Sequence, residues 1–396
     1  MYKIKTLNKI APVGLKHLPG KQYEIFPEDN AITDVDGIIL RSSNMHDMVL
    51  PNSLQAVARA GAGVNNIPID SCTEAGIVVF NTPGANANAV KELVLAGLFL
   101  ASRKIVDGIN WAQSLAGQAD VAKLVEKGKS QFAGPEIAGK KLGVIGLGAI
   151  GVLVANAAQA LGMQVYGCDP YISVDAAWRL SRNIHKADSL NEIFANCDYI
   201  SLHAPLNADT KHMLNADTLG AMRPGVRVLN FSRAQLVDDV AMKAALDKGQ
   251  IGVYVTDFPN ENLLGTKGVI PIPHLGASTP ESEDNCAEMA AVQLRDYLEY
   301  GNIVNSVNFP NCILPYTGRK RVCVIHHNVP NVVGPLATAF AKQHINIHGT
   351  VNMSRGNIAY TMIDVDGDAR AAMDDMLQVE GIIRVRFLAG EDESWQ

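Results

Sequence analysis

The sequence predicts an α/β protein with a parallel, doubly wound sheet at its centre, a smaller α/β unit before it, and a βαββαβ module at its C-terminal end. Three observations carry this. Strand-like apolar runs alternate with helical patterns from residue 141 to 272. A glycine-rich turn joins the first of those strands to its helix. After residue 319 the order changes to strand, helix, two strands, helix, strand. A chain of 396 residues is also too long for one ordinary core, so two or three domains are expected.

Residues 1–83 read as an α/β unit with strands at 6–10, 23–26, 37–40 and 77–80 and helices between them. Gly61-Ala62-Gly63-Val64-Asn65-Asn66 opens no long helix, so it reads as a loop exposing backbone N–H groups. The stretch 87–104 is amphipathic and free of proline, as a helix should be, whereas 116–139 is polar and lysine-bearing and belongs on the surface.

From there the strands fall at 142–145, 164–168, 199–202, 227–230, 252–255 and 269–272. One long helix covers 281–299, and the Asn- and Pro-rich stretch after it reads as a linker. The terminal module has strands at 322–326, 347–353, 358–365 and 383–388, with helices at 333–343 and 369–378.

The glycine turn is chemically the most informative stretch. Gly146, Gly148 and Gly151 in GLGAIG form G-x-G-x-x-G, with Ala149 and Ile150 at the start of the helix. The first glycine permits the tight turn, the second lets the backbone approach a pyrophosphate, and the third lets helix and strand pack closely. Free N–H groups at the helix start face the phosphates. Asp169 stands eighteen residues past Gly151 (169 − 151), at the end of the next strand. There its carboxylate accepts ribose hydroxyls and repels a 2′-phosphate, so NAD is favoured over NADP.

Arg233, Glu261 and His274 fall at the ends of successive predicted strands, where open α/β sheets bind their ligands. A guanidinium can hold a carboxylate in a fork. An imidazole can take a hydroxyl proton as hydride leaves, and a carboxylate can orient that ring and raise its pKa.

The composition excludes other classes. Net charge is −6, which disfavours nucleic-acid and anionic-membrane surfaces. The six cysteines show neither C-x-x-C nor metal-ligand spacing and read as reduced thiols, so no metal is expected. The start MYKIKTLNKIAP lacks a signal-peptide core, and no apolar run reaches the ~20 residues of a membrane span, so a cytoplasmic protein is expected.

Taken together, LRSSN, GAGVNNI, GLGAIG, LHAPLN, NFSRAQLVD, FPNE and PHLGAST closely resemble the D-2-hydroxyacid dehydrogenase family over essentially the whole chain. The resemblance implies NAD-dependent oxidation of 3-phospho-D-glycerate. It also implies a flavodoxin-like substrate domain (1–87, returning at 281–305), a cofactor domain (88–280), a linker (306–318) and an ACT-like regulatory domain (319–396). By the same resemblance Arg233 binds the substrate carboxylate and carbonyl, and Glu261 with His274 forms the acid/base pair. His203, Ala204, Pro205 and Ser232 line the cofactor.

Arg41 and Ser42 should meet the substrate phosphate, and Ala62, Gly63 and Asn86 its carboxylate end. Where relatives carry Asp-Val-Phe this chain reads Thr256-Asp257-Phe258, so either Thr256 or Asp257 meets the nicotinamide. Ser43 replaces a second arginine common in relatives, and Lys91 adds a cation near the cleft. Lys129 matches a lysine that can reach a neighbouring subunit's site, although it also reads as an ordinary solvated residue.

In the terminal module His326, Asn328 and Asn346 match amino-acid-binding positions, which implies an L-serine effector and a homo-oligomer, dimer or tetramer. A glycerate or hydroxypyruvate reductase is disfavoured by Arg41-Ser42 and the terminal module. A transcriptional corepressor on the same scaffold is disfavoured by retention of Arg233, Glu261 and His274 together.

Overall fold

Five short parallel strands open the fold. In the computed structural model, which describes residues 1–30 and 34–390, they are β1 (Tyr2–Leu7), β2 (Tyr23–Phe26), β3 (Gly37–Leu40), β4 (Ala56–Arg59) and β5 (Val78–Phe80). Their order is β2-β1-β3-β4-β5. The first strand starts earlier than the sequence suggests and stops at Leu7, because Asn8 turns into the left-handed region with φ 74°. Strand β4 is unannounced in the sequence, since AVAR carries little β-propensity and is held by pairing on both sides.

Helix α1 (Ala87–Arg103) follows and stops at Lys104, whose φ is 39°. The polar stretch beyond it contains helices at Ile105–Ser114 and Val121–Gly128, neither of which buries a residue. Seven parallel strands then make the second sheet. They are β6 (Lys141–Ile145), β7 (Gln164–Cys168), β8 (His185–Lys186), β9 (Tyr199–Leu202), β10 (Val226–Asn230), β11 (Ile251–Thr256) and β12 (Val269–Pro271).

Their order is β12-β11-β10-β9-β6-β7-β8, with helix α2 (Ala149–Ala160) following β6. The chain leaves β6 in one direction for β7 and returns to its other side as β9. That is the switch point at which an open α/β sheet binds a ligand. Residues 86–282 form this compact unit, and residues 1–85 with 283–396 form the other.

The second unit also contains most of the long helix α3 (Pro280–Tyr300) and a βαββαβ module. The module comprises β13 (Lys320–His327), α4 (Val333–Lys342), β14 (Ile347–Arg355), β15 (Ile358–Val365), α5 (Arg370–Leu377) and β16 (Ile382–Leu388). Its antiparallel order β14-β15-β13-β16 is ferredoxin-like. The sequence pattern anticipated every one of these elements; its final six residues lie outside those described.

The expectation of a tethered module joined by a linker at 306–318 does not describe this packing. Phe309 and Cys312 are buried, and Ile303 and Cys312 exchange both backbone hydrogen bonds. Asn308 fastens the segment to β5 and its neighbourhood by accepting from Val79 N–H and donating to the Ile77 carbonyl. Both faces of the module's sheet are covered. Val322, Val324, Ile363 and Val365 pack under α4 and α5. Cys323, Ile325, Tyr360 and Met362 join the core made by α3 and the first sheet.

The C-terminal end of α3 is the joint. Its carbonyls at Leu298 and Tyr300 lack intrahelical partners. Arg386 donates to the Leu298 carbonyl at 3.0 Å and lies 4.4 Å from the centre of the Tyr297 ring. Arg321 donates to the Tyr300 carbonyl at 2.6 Å, and Tyr360 Oη to the Gly301 carbonyl at 2.7 Å. Gly301 caps the helix at φ 75°, and a Cβ there would meet Cys323 Sγ at 2.5 Å.

Arg321 has no solvent exposure and pairs with Asp364 at 2.6 Å and 3.1 Å. Arg321→Met would leave the Asp364 carboxylate buried and unpaired, so unfolding free energy in urea should fall by about 3–5 kcal/mol. The double change Arg321→Met/Asp364→Leu should recover most of that loss. A single variant as stable as wild type would contradict this account of the joint.

Candidate active site

The strand ends of the second sheet position the dinucleotide turn. Gly146 has φ 90°, and a Cβ there would lie 2.7 Å from the His203 carbonyl, so the loop after β9 can come this close only to glycine. Gly151 lies so close to the Gly146 carbonyl that a Cβ would sit 2.0 Å from its oxygen, which packs α2 on β6. Nothing lies within 4 Å of a Cβ built on Gly148, the residue before the helix. That open approach, with Ala149 and Ile150 on the first turn of a twelve-residue helix, fits a pyrophosphate.

Asp169 ends β7 half-buried. Its Oδ2 accepts Leu147 N–H and its Oδ1 accepts Tyr171 N–H, both at 2.8 Å. Each oxygen keeps a lone pair for a ribose hydroxyl. Ser232 Oγ donates to the Ala204 carbonyl at 2.8 Å, tying the loop after β10 to His203-Ala204-Pro205. His203 Nε2 meets Ser201 Oγ at 2.8 Å, and burial of the ring pushes its pKa down to about 4, so the imidazole is neutral.

Arg233 and His274 are exposed at the ends of β10 and β12, and both lie in electrostatic range of the Asp257 carboxylate. The Arg233 backbone is fixed by Asn230, a fully buried residue whose Nδ2 donates to the Arg233 carbonyl at 2.9 Å. Asn230 was not singled out from the sequence; its only signal is a polar residue ending a buried strand. The His274 ring meets Phe258 edge-on, centroids 5.0 Å apart at 64°. Glu261 is exposed and makes no hydrogen bond or ion pair among the described residues.

Thr256 is the last residue of β11 and Asp257 the first beyond it. The Thr256 hydroxyl is taken internally, accepting Phe258 N–H at 3.2 Å. Asp257 is buried within electrostatic range of His274 and Arg233. Asn86, just before α1, has a side-chain amide without partners among the described residues.

The substrate residues expected at 41–63 lie in the other unit. Asn8 Oδ1 gathers the N–H groups of Arg41, Ser42 and Ser43 at 3.3, 2.8 and 2.7 Å, which shapes that loop. Arg41 pairs with Glu283 at 2.6 Å. Arg59, which the sequence reading passed over, brings a second guanidinium: Nε donates to the Arg41 carbonyl at 3.1 Å, and Nη1 lies over Gly61. Asn81 Nδ2 donates to the Ala62 carbonyl at 2.7 Å and holds the Ala62-Gly63 turn.

Lys91 donates to Asn88 at 2.7 Å on its own helix, and Lys129 pairs with Glu126 on the surface. In the module Asn328 and Asn346 are exposed, but His326 is buried. Its Nδ1 meets the His327 carbonyl at 2.7 Å and its Nε2 the Thr361 hydroxyl at 2.9 Å. His326 is expected to contact an effector; within the chain both of its ring nitrogens are engaged, and the ring pins β13 to β15. No group of ligating side chains suited to a metal occurs among the described residues, and no helix among them is long and apolar enough to cross a membrane.

Cofactor choice follows from the Asp169 geometry. Asp169→Ala combined with Tyr171→Arg should raise kcat/KM for NADP relative to NAD by about tenfold or more, the scale of one charge-assisted contact. Unchanged discrimination would place the ribose elsewhere.

Comparison with known proteins gives the same reading. Residues 95–276 match the family model described as "D-isomer specific 2-hydroxyacid dehydrogenase, NAD binding domain". The D-3-phosphoglycerate dehydrogenase of Escherichia coli K12 is 32% identical over 375 residues, 90% of this chain and 88% of that protein. The enzyme of that name from Methanocaldococcus jannaschii is 36% identical over 289 residues, covering 71% of this chain and 53% of its own. The NAD+-bound 3-phosphoglycerate dehydrogenase of Entamoeba histolytica superposes with a TM-score of 0.61 at 25% identity, over 78% of this chain and 98% of that one. The chain is thus an NAD-dependent oxidoreductase that belongs to the D-isomer-specific 2-hydroxyacid dehydrogenase family.

Proposed function

We propose that the protein oxidises 3-phospho-D-glycerate to 3-phosphohydroxypyruvate, the first step of phosphorylated L-serine synthesis. The observation that supports this is the dinucleotide turn with Arg233 and His274 at strand ends of the same sheet, in a chain aligned over nine-tenths of its length with a D-3-phosphoglycerate dehydrogenase. NAD, when bound, would supply the acceptor for the hydride from C2. Arg233 holds the substrate carboxylate and polarises the C2 oxygen. His274 takes the hydroxyl proton as C2–O becomes a carbonyl, and Glu261 is its partner in that exchange. Six free cysteines accord with a reducing compartment, the cytoplasm.

Arg41 takes the phosphate in this reading. Glu283 occupies one face of its guanidinium, but five N–H donors leave others free, and Arg59 adds charge nearby. NADH formation should be faster with 3-phosphoglycerate than with glycerate. Arg41→Ala should lower kcat/KM for the phosphorylated substrate by about 10–100-fold, the worth of a hydrogen bond to a charged group, and much less for glycerate. Equal losses, or a wild type that prefers glycerate, would sink the assignment.

The terminal module is read as an ACT domain that binds L-serine between subunits of a homo-oligomer. The free edge of β14 offers unpaired backbone groups for a second copy. Asn331, at a position where the motif usually carries glycine, adopts φ 62° and so preserves the glycine conformation of the loop before α4. Effector contacts fall to Asn328, which donates to the Gly356 carbonyl at 3.1 Å, and to Asn346. Serine should lower activity, and Asn346→Ala should weaken that inhibition without altering uninhibited turnover. Flat activity to millimolar serine, with no heat in calorimetry, would make the module an oligomerisation device.

A further inference from the structure

Asp257 is the most unusual polar residue of the catalytic unit. It is 1% exposed, and its Oδ1 has no hydrogen-bond partner. A buried carboxylate oxygen without a donor costs stability and calls for an explanation. Its surroundings supply one. From α1 the neighbour of the site is Val90, and from the turn after β12 it is Gly276. A Cβ on Gly276 would lie 3.4 Å from Val90 Cγ2 and 3.5 Å from Asp257 Oδ2, so the space is fitted to the carboxylate.

On β11 itself the adjacent titratable group is Tyr254, which also feels Asp239. The basic groups in electrostatic range of the carboxylate are His274 and Arg233. The next residue, Phe258, packs its ring edge-on to the His274 imidazole. Asp257 and Phe258 thus lie near the groups that the chemistry needs, while Glu261 remains in solvent.

We infer that Asp257 is a positioning residue of the hydride-transfer centre: a second, buried carboxylate that orients His274 and Arg233 and leaves Oδ1 open for an N–H of either. This rests on the reading above that His274 takes the hydroxyl proton. Burial pushes the Asp257 carboxyl up to about 6, against the pull of His274 and Arg233. Its burial favours the fold while it is protonated, and that benefit is lost as pH rises from its unfolded value to about 6. Above that pH it is a charge retained against stability.

The test uses the full-length protein. Asp257→Asn is isosteric and should melt no lower than wild type at pH 8. With 3-phosphoglycerate its kcat should fall about 10–100-fold, while NADH affinity read by fluorescence stays within about twofold. The acid limb that the Asp257 carboxyl gives the kcat/KM profile near pH 6 should disappear, because Asn does not titrate. In a His274→Ala background the same change should have little further effect on kcat.

Asp257→Glu keeps a titrating carboxylate and should restore the limb, and a limb that stays absent in this variant overturns the inference. So does an Asn variant with near-normal kcat and an unmoved limb, or a loss fully additive with that of His274→Ala. A fall in NADH affinity matching the fall in kcat would make Asp257 a cofactor contact instead. An inactive wild type would strike the proposed reaction, not this assignment.

Discussion

The end of helix α3 is the constraint on which one of the two units depends. A 21-residue helix leaves its last carbonyls without partners, and its dipole concentrates negative potential there. Arg386 and Arg321, two guanidiniums from the terminal module, together with the phenol of Tyr360, meet the carbonyls of Leu298, Tyr300 and Gly301. Arg321 is buried and Arg386 half-buried, so both need these partners as much as the carbonyls need them. Around the joint, Ala287, Ala290, Ala291, Leu294, Tyr297 and Leu298 present one stripe of α3 to the first sheet and the module together.

That joint changes the meaning of the terminal module. An antiparallel sheet commonly keeps one face in water, with apolar and polar residues alternating. Here all eight residues of β15 are buried, because helices cover one face and the α3 core covers the other. The module is part of a core and not a tethered appendage, so any ligand it binds acts on a surface continuous with α3. The chain passes between the two units at 85/86 and 282/283, and the second of these crossings lies within α3 itself.

The active site obeys a different logic, that of charge placed at strand ends. Close backbone approaches at Gly146 and Gly151 use glycine where any Cβ would collide, and the open approach at Gly148 is left for the ligand. Asp169 is fixed by two backbone donors, whereas Asp257 is buried with one oxygen unpartnered. The first arrangement is a settled binding group. The second is a strained one, of the kind that folded proteins retain where chemistry requires it.

What the sequence determined by itself was whatever is local. The glycine spacing, the acid at the end of β7, the strand–helix alternation and the βαββαβ order are periodicities and short spacings, so Gly146 to Asp169 was legible with its chemistry. Strand β4 was not, because AVAR becomes a strand only between two partners. The burial of Asp257 was equally closed to the sequence, because only the packed fold brings Val90 and Gly276 around it. Arg59 was hidden likewise, since its partner is the Arg41 carbonyl at the end of a neighbouring strand, whereas Asn230 has local partners and showed only as a polar residue ending a buried strand. His326 matched a binding pattern, yet the tertiary structure buried it with both nitrogens engaged. Burial depends on contacts between residues far apart in the chain, and no local pattern reports those.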